Sequence, residues 1–261
     1  MNRKCQLLAI VVLAGECACH AALVLSGTSY SQNFDGIGTG LPSEWSVYTG
    51  ATSSSLGTAT SFSTANPTTL WTATSAGFYN VASADGLTSS ADSTQQRGSS
   101  DRAVGIKQTS TTGYDPGAAI VLQIQNTSGY GNFNLALEAQ ILNEQSRSTT
   151  WLIQYRIGDA GDFTTMGTFS DPGTWGSTSL SYNSSDLAGW NNCSSDIWFR
   201  IAAINSSTGS NYRDMFAIDD FSLNYSAVPE PTAWGIFSGI SLLLLCGTRF
   251  WQQFQQGFVF C

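Results

Sequence analysis

The sequence predicts an all-β protein: an antiparallel β-sandwich of jelly-roll type over residues 22–227, flanked by an N-terminal signal peptide and a C-terminal transmembrane helix. Three observations carry this. Apolar residues in the middle of the chain alternate with period two, the spacing of a half-buried strand. Gly, Pro and Asp punctuate those runs at turn positions. No stretch of the body carries a helical apolar stripe longer than two turns. A chain of about 200 residues buries roughly 70% of the surface it exposes when unfolded, so one domain suffices without disulfide staples.

The clearest strands lie in mid-chain. In Phe133 to Gln140, residues Phe133, Leu135, Leu137 and Ala139 share one face, opposite Asn134, Ala136, Glu138 and Gln140. Trp151 to Ile157 repeats the pattern, with Trp151, Ile153, Tyr155 and Ile157 inward. The polar segment 143–149 between these runs suits an antiparallel connection. Further strands are expected at Tyr30–Phe34, Trp45–Thr49, Ala118–Gln125, Phe163–Phe169, Ile197–Ile204 and Met215–Tyr225. Turns are expected at Asp85-Gly86, Asp115-Pro116-Gly117, Gly158-Asp159, Asp171-Pro172-Gly173 and Thr208-Gly209. The last strand contains a phase slip: Phe216 and Ile218 face one way, Phe221, Leu223 and Tyr225 the other. A β-bulge at Asp219-Asp220 absorbs the extra residue. Residues 51–112 are Ser/Thr-rich with apolar islands at Leu70-Trp71 and Phe78-Val81, and read as long loops with short strands.

Composition excludes several functions. The net charge is −8, and seven Lys and Arg in the body face sixteen Asp and Glu. With no basic run to displace counterions from phosphates, nucleic acid is not an expected partner. The single histidine, His20, lies at the end of the leader, so triad catalysis and imidazole metal sites are not expected in the body. Cys193 is the only body cysteine, which rules out an internal disulfide there.

The two ends read as addresses. Arg3 and Lys4 precede the apolar run Leu7–Ala14, and small residues follow. This is the layout of a secretory signal over 1–21, cut after Ala21. At the other end, Val228-Pro229-Glu230-Pro231 is followed by an apolar run over 233–247 and by Arg249. A 15-residue helix spans about 22 Å, marginal against a ~30 Å hydrocarbon core. Arg249 on the far side agrees with a cytoplasmic end. Tripeptide, short apolar run and basic residue together resemble the PEP-CTERM sorting signal, here over 228–251. The resemblance implies recognition by an exosortase, a membrane enzyme that cuts near the motif. Residues 252–261 depart from the pattern with an aromatic, Gln-rich extension, and the usual basic cluster is reduced to Arg249.

A second resemblance covers the body. Gln32-Asn33-Phe34-Asp35 near its start and Phe216 to Leu223 near its end resemble the edges of concanavalin-like or carbohydrate-binding-module-like jelly rolls on bacterial surface proteins. In such folds the first and last strands lie together, which brings Asp35, Asp219 and Asp220 into one neighbourhood. These acids are candidates for a structural calcium, whose six to eight oxygens would be completed by carbonyls and water.

Sugar recognition requires exposed rings, because pyranose C–H faces stack on them. Trp71, Phe78 and Tyr79 are the first candidates, with Trp175 and Trp190 also in loop-like stretches; core packing is the competing use of each ring. Glu138 and Glu144, with Glu44, are the only body glutamates available to a glycosidase. Arg102, Arg147 and Arg213, beside acids and hydroxyl-rich turns, are expected to fix loops. The reading is therefore a non-catalytic, exported, envelope-anchored surface or matrix protein with a structural or adhesive sandwich. A carbohydrate-binding module is the alternative, and a jelly-roll polysaccharide-degrading enzyme the second. Expected partners are the membrane, an exosortase-like enzyme and extracellular polysaccharide.

Overall fold

Fourteen strands form two facing sheets in the computed structural model, which describes residues 20–65 and 68–229. In chain order they are β1 (Leu23–Val24), β2 (Ser29–Gln32), β3 (Trp45–Thr49), β4 (Thr58–Ala59), β5 (Phe62–Ser63), β6 (Gly77–Ala82) and β7 (Arg102–Lys107). Then follow β8 (Ala118–Asn126), β9 (Tyr130–Asn143), β10 (Thr150–Ile157), β11 (Thr164–Ser170), β12 (Gly176–Tyr182), β13 (Ile197–Ala203) and β14 (Met215–Ala227). The first sheet runs β11-β10-β13-β8-β3-β4, with β1 parallel to β8. The second runs β12-β9-β14-β7-β6-β5, with β2 against β14. Apart from β1–β8 and β5–β6, the pairings are antiparallel.

The eight expected strands are present, and their alternation explains the layering. Phe133, Leu135, Leu137 and Ala139 of β9 are all at most 2% exposed. They meet Ile120, Leu122 and Ile124 of β8 and Phe199 and Ile201 of β13 in one core. Aromatic rings join the sheets: Trp151 of β10 stacks on Phe216 of β14 at 4.1 Å, and Trp45 meets Phe34 and Phe221 edge-on at 5.1 Å each. Edge-to-face contact sets the positive ring rim against the negative face, a gain beyond area burial.

One expected pairing is wrong. β9 and β10 do not form a hairpin: β9 belongs to the second sheet and β10 to the first, so segment 143–149 crosses between layers. A polar linker is compatible with either route, and only the faces buried by the neighbouring strands decide. Strand β12 lies in a Ser/Thr-rich stretch that showed no alternation, because an edge strand with an exposed polar face leaves none. Ile157, expected inward, is 37% exposed at the end of β10. The expected bulge is present: the β14–β9 register shifts between Asp219 and Ser222, and Asp220 takes φ 46°.

Both outer faces are partly roofed. Over the first sheet lies the loop before β4, held by a guanidinium that has no acidic partner among the described residues. Arg200, 0% exposed, donates to the carbonyls of Thr52 (2.7 Å) and Ser55 (2.8 Å) and to Gln154 Oε1 (2.9 Å). Its guanidinium sits 3.5 Å above the Phe163 ring. Arg156 donates to the Ser54 carbonyl from the same face. The loop turns tightly at Gly57 (φ 88°), where an added Cβ would lie 2.2 Å from the Thr49 carbonyl oxygen. Over the second sheet lie the segments on either side of β6, 68–76 and 83–101, the latter including helix α1 (Ser93–Gly98). Asp92 caps that helix by accepting from the Thr94 and Gln95 N–H groups, while Gln95 returns the bond to the Asp92 N–H.

Among the described residues no helix is long and apolar enough to cross a membrane. The signal over 1–21, except its last two residues, lies outside the described residues, as do Glu230, Pro231, the expected transmembrane run over 233–247, Arg249 and the tail over 252–261.

Candidate functional site

Three features of the surface bear on function. The first is an acidic group where β2, β7 and β14 approach. Antiparallel pairing of β2 with β14 places Phe221 opposite Gln32, so Asp35 follows β2 close to the bulge. Burial raises the carboxyl of Asp219, 1% exposed, to about 8; hydrogen bonding to Ser83 and to the Asp220 N–H (2.8 Å) opposes this only in part. Asp101 is raised by burial and then by Asp35, Asp85 and Asp220. Asp220 is raised by burial and then by Asp85 and Asp35. Asp85 and Asp101 also border a shallow cleft of about 630 Å³.

The expected proximity of Asp35, Asp219 and Asp220 is therefore seen, and Asp85 and Asp101 join them without a sequence signal. Asp35 already accepts from the Arg102 N–H (3.0 Å) and from Asn33 Nδ2 (2.6 Å). Among the described residues no group of three His, Cys, Asp or Glu is arranged to hold a metal ion.

The second feature is the fate of the expected sugar-stacking rings. Trp71 is 2% exposed and Phe78 1%, so neither offers a face to a ligand. Trp71 lies beneath the roof of the second sheet, its Nε1 donating to the Ala82 carbonyl (2.8 Å) and its ring against Trp175 at 5.7 Å. Phe78 points between the sheets toward Tyr114. Tyr79 is half-buried, folded over Gly77, with its hydroxyl on the Ser75 and Ala76 carbonyls (3.1 Å each). Trp190 is fully buried, and Trp175 is half-buried. Large rings bury the most apolar area per residue, and these found room inside.

The third feature is a cleft of about 440 Å³ at the end of the sandwich where the β7–β8 and β13–β14 loops meet. Tyr212, 67% exposed, stands at its edge, and Thr74, Thr109, Ser110 and Asn211 supply hydroxyl and amide groups. The floor is rigid. Asp115, whose carboxylate is 1% exposed, accepts from Arg213 Nε, from Arg147 Nη2 (3.4 Å) and from both the N–H (2.8 Å) and hydroxyl (2.6 Å) of Ser207. Burial pushes its carboxyl up, but the Ser207 and Arg213 hydrogen bonds outweigh that and hold it below the usual value. Lys107 Nζ donates to the Arg213 carbonyl. Arg147 and Arg213 thus fix loops, as expected. Arg102 does so too, donating to Asn80 Oδ1 (2.9 Å), Thr68 Oγ1 and the carbonyls of Gln96 and Ser99.

Tyr212 was missed in the sequence. The available signal was a lone ring in Ser206-Ser-Thr-Gly-Ser-Asn-Tyr212, a run too polar to be a strand and too short to bury a tyrosine.

The glutamates are not arranged for glycoside hydrolysis. Glu138 faces Ser179 on the outer side of the second sheet, and exposed Glu144 lies six residues on, roughly 20 Å at ~3.4 Å per strand residue. That exceeds the ~5–9.5 Å a carboxyl pair needs. Asp219 lies opposite Glu138 across the β9–β14 pair but is buried. Glu44 accepts from the Tyr30 hydroxyl (2.6 Å), a structural role.

No family model matches the chain, and no curated protein matches it. Solved structures do. The xylan-binding module CBM15 is 11% identical with a TM-score of 0.41, over 78% of this chain and 100% of that one. The K1 cleaved adhesin domain of Lys-gingipain from Porphyromonas gingivalis is 12% identical with a TM-score of 0.40, over 78% and 100%. Xylanase 10C from Cellvibrio japonicus is 12% identical with a TM-score of 0.37, and the chain spans only 28% of its length. Likeness at this level carries no inference about function. The all-β sandwich stands on the strand pairing itself.

Proposed function

We propose that the sandwich is a non-catalytic glycan-binding module of an exported, envelope-directed protein. The observation that carries this is the end cleft: an exposed Tyr212 ring beside hydroxyl and amide side chains. An aromatic face for C–H stacking and neutral polar groups for hydroxyls are what a saccharide needs, and a concave site with few fixed polar groups is how small ligands are held. The test is a glycan array followed by calorimetry. Tyr212→Ala is expected to weaken binding at least 10-fold while leaving thermal unfolding within about 1 °C, because a mostly exposed ring contributes little to the core. Absence of glycan binding by the unaltered chain would sink the reading.

Burial of Trp71 and Phe78 favours the second reading, a purely structural or adhesive surface module, since two rings expected to meet sugar serve the fold instead. Silence across glycans together with self-association or surface retention would select it.

The address is proposed from sequence. Replacing Pro229-Glu230-Pro231 by alanines is expected to abolish tail processing in cells that contain an exosortase, read by intact mass. Calcium at Asp35, Asp219 and Asp220 is not part of this reading, because the three acids lie near one another without being arranged to hold an ion.

A further inference from the structure

The Tyr212 cleft is bordered by two cations, Lys107 and Arg213, and by no acid. The chain as a whole carries a net charge of −8. Its overall field repels anions at a distance, so this positive lining acts on them only at close range.

Arg213 has donors to spare. Its Nε is committed to Asp115, whose carboxylate is also held by Arg147 Nη2 and Ser207. Its Nη1 and Nη2 meet no acceptor among the described residues, and neither is enclosed. The guanidinium is planar and presents its hydrogens as a fork. With the Nε side taken, the edge between the two Nη atoms is left, and that edge fits the two oxygens of a carboxylate. Because Asp115 fixes the other side, little freedom remains to be lost when a ligand docks.

Lys107 adds a second charge. It is 3% exposed, its Nζ donates to the Arg213 carbonyl, and it forms no ion pair among the described residues. Burial lowers its pKa, with Asp214 opposing and Arg213 adding to the fall. Asp214 spends its Oδ1 on the Gln145 N–H. A buried ammonium short of counter-ions is stabilised by an anion that reaches the cleft.

We propose that the cleft selects acidic sugars: a uronic acid ring lies on Tyr212, and its carboxylate takes the Nη1–Nη2 edge of Arg213 with Lys107 behind it. The equatorial carboxylate of a hexuronic acid lies near the mean plane of its ring. Stacking on tyrosine therefore directs it sideways toward the cleft wall, away from the aromatic face. A neutral hexose has a hydroxymethyl group there, which brings no charge. This rests on the glycan-binding reading of the same cleft and adds the class of glycan.

The test is calorimetry of the full chain with oligomers of galacturonate, glucuronate and mannuronate, each beside the same oligomer with its carboxyls reduced to hydroxymethyl groups. At least one uronate is expected to bind about 10-fold or more tighter than its reduced partner, the value of a charge-assisted bond. Arg213→Lys keeps a charge beside Asp115 but loses the fork, and is expected to abolish that preference while leaving the reduced oligomer unaffected. Tyr212→Ala is expected to weaken both alike. Should Arg213→Lys fold poorly, salt decides in the unaltered chain: from about 0.02 M to about 0.5 M NaCl, uronate affinity should fall several-fold and that of the reduced oligomer should hold. Equal binding of every uronate and its reduced partner would overturn the acidic class and leave the glycan-binding reading standing. No binding of either kind would sink that reading itself. A sulfated galactan oligomer bound more tightly than every uronate would overturn the carboxylate.

Discussion

Arg200→Met isolates the device that roofs the first sheet. The substitution keeps an unbranched stem of similar length and removes the guanidinium. Three hydrogen bonds are lost, at 2.7, 2.8 and 2.9 Å, together with a cation–π contact at 3.5 Å. Charge-assisted bonds contribute about 1.5–3 kcal/mol each, so the gross loss is about 4–9 kcal/mol. Against this, an ion buried without a carboxylate suffers a desolvation penalty of several kcal/mol, which methionine removes. Burial lowers the Arg200 pKa, and nearby Arg156 adds to that, which is the same penalty seen from the proton's side. The net expectation is a loss of about 2–4 kcal/mol. For a domain of this size, 1 kcal/mol moves the midpoint by about 2–4 °C, so calorimetry should record a fall of about 4–16 °C. Limited proteolysis should quicken between Thr52 and Gly57, because the loop loses its tether. Arg200→Lys keeps the charge without the planar fork and is expected to be no better than methionine. A midpoint within 2 °C of the unaltered protein, or above it, would show that desolvation outweighs the three bonds, and the tether argument would fail.

Other expectations follow from the same interactions. Asp219, raised to about 8 by burial, favours folding at low pH and loses that effect as pH rises from about 4 to 8; Asp219→Asn should remove about 3.5 kcal/mol of that decline, measured by urea unfolding at pH 5 and 8. Phe221→Ala opens a cavity between Trp45, Phe199 and Tyr30, and chemical denaturation should show a loss of about 3–5 kcal/mol. Asp115→Ala leaves Arg147 and Arg213 facing an emptied buried position and should cost about 3–5 kcal/mol, with the Tyr212 loop the first to gain amide exchange. Gly57→Ala drives a methyl into the Thr49 carbonyl at positive φ, and calorimetry should register a drop larger than for Gly86→Ala, which has positive φ but open space.

What the sequence determined by itself was local. Period-two runs such as Phe133–Gln140 became β9 because one buried face of a strand must alternate, and the phase slip at Asp219-Asp220 became a bulge because only an extra residue reconciles its two apolar sets. Acids flanking β2 and β14 came together because those strands pair. Absence of imidazole from the body was likewise a matter of composition.

Tertiary structure decided everything that depends on which surface covers which. Segment 143–149 changes sheets instead of turning back, since burial is settled by neighbours far away in the chain. Gln154, Arg156 and Arg200, polar by every local rule, are buried because a loop crosses above them and supplies carbonyls. Trp71 lies in a stretch with no strand pattern, yet it is sealed under a roof made by its own flanking segment. Tyr212, three residues before the start of the β14 strand whose pattern was plain, remains outside because its loop is pinned by Asp115 from a different turn. A side chain's exposure is a property of the whole packing, so the rings that could meet a ligand could be chosen only once both sheets were closed.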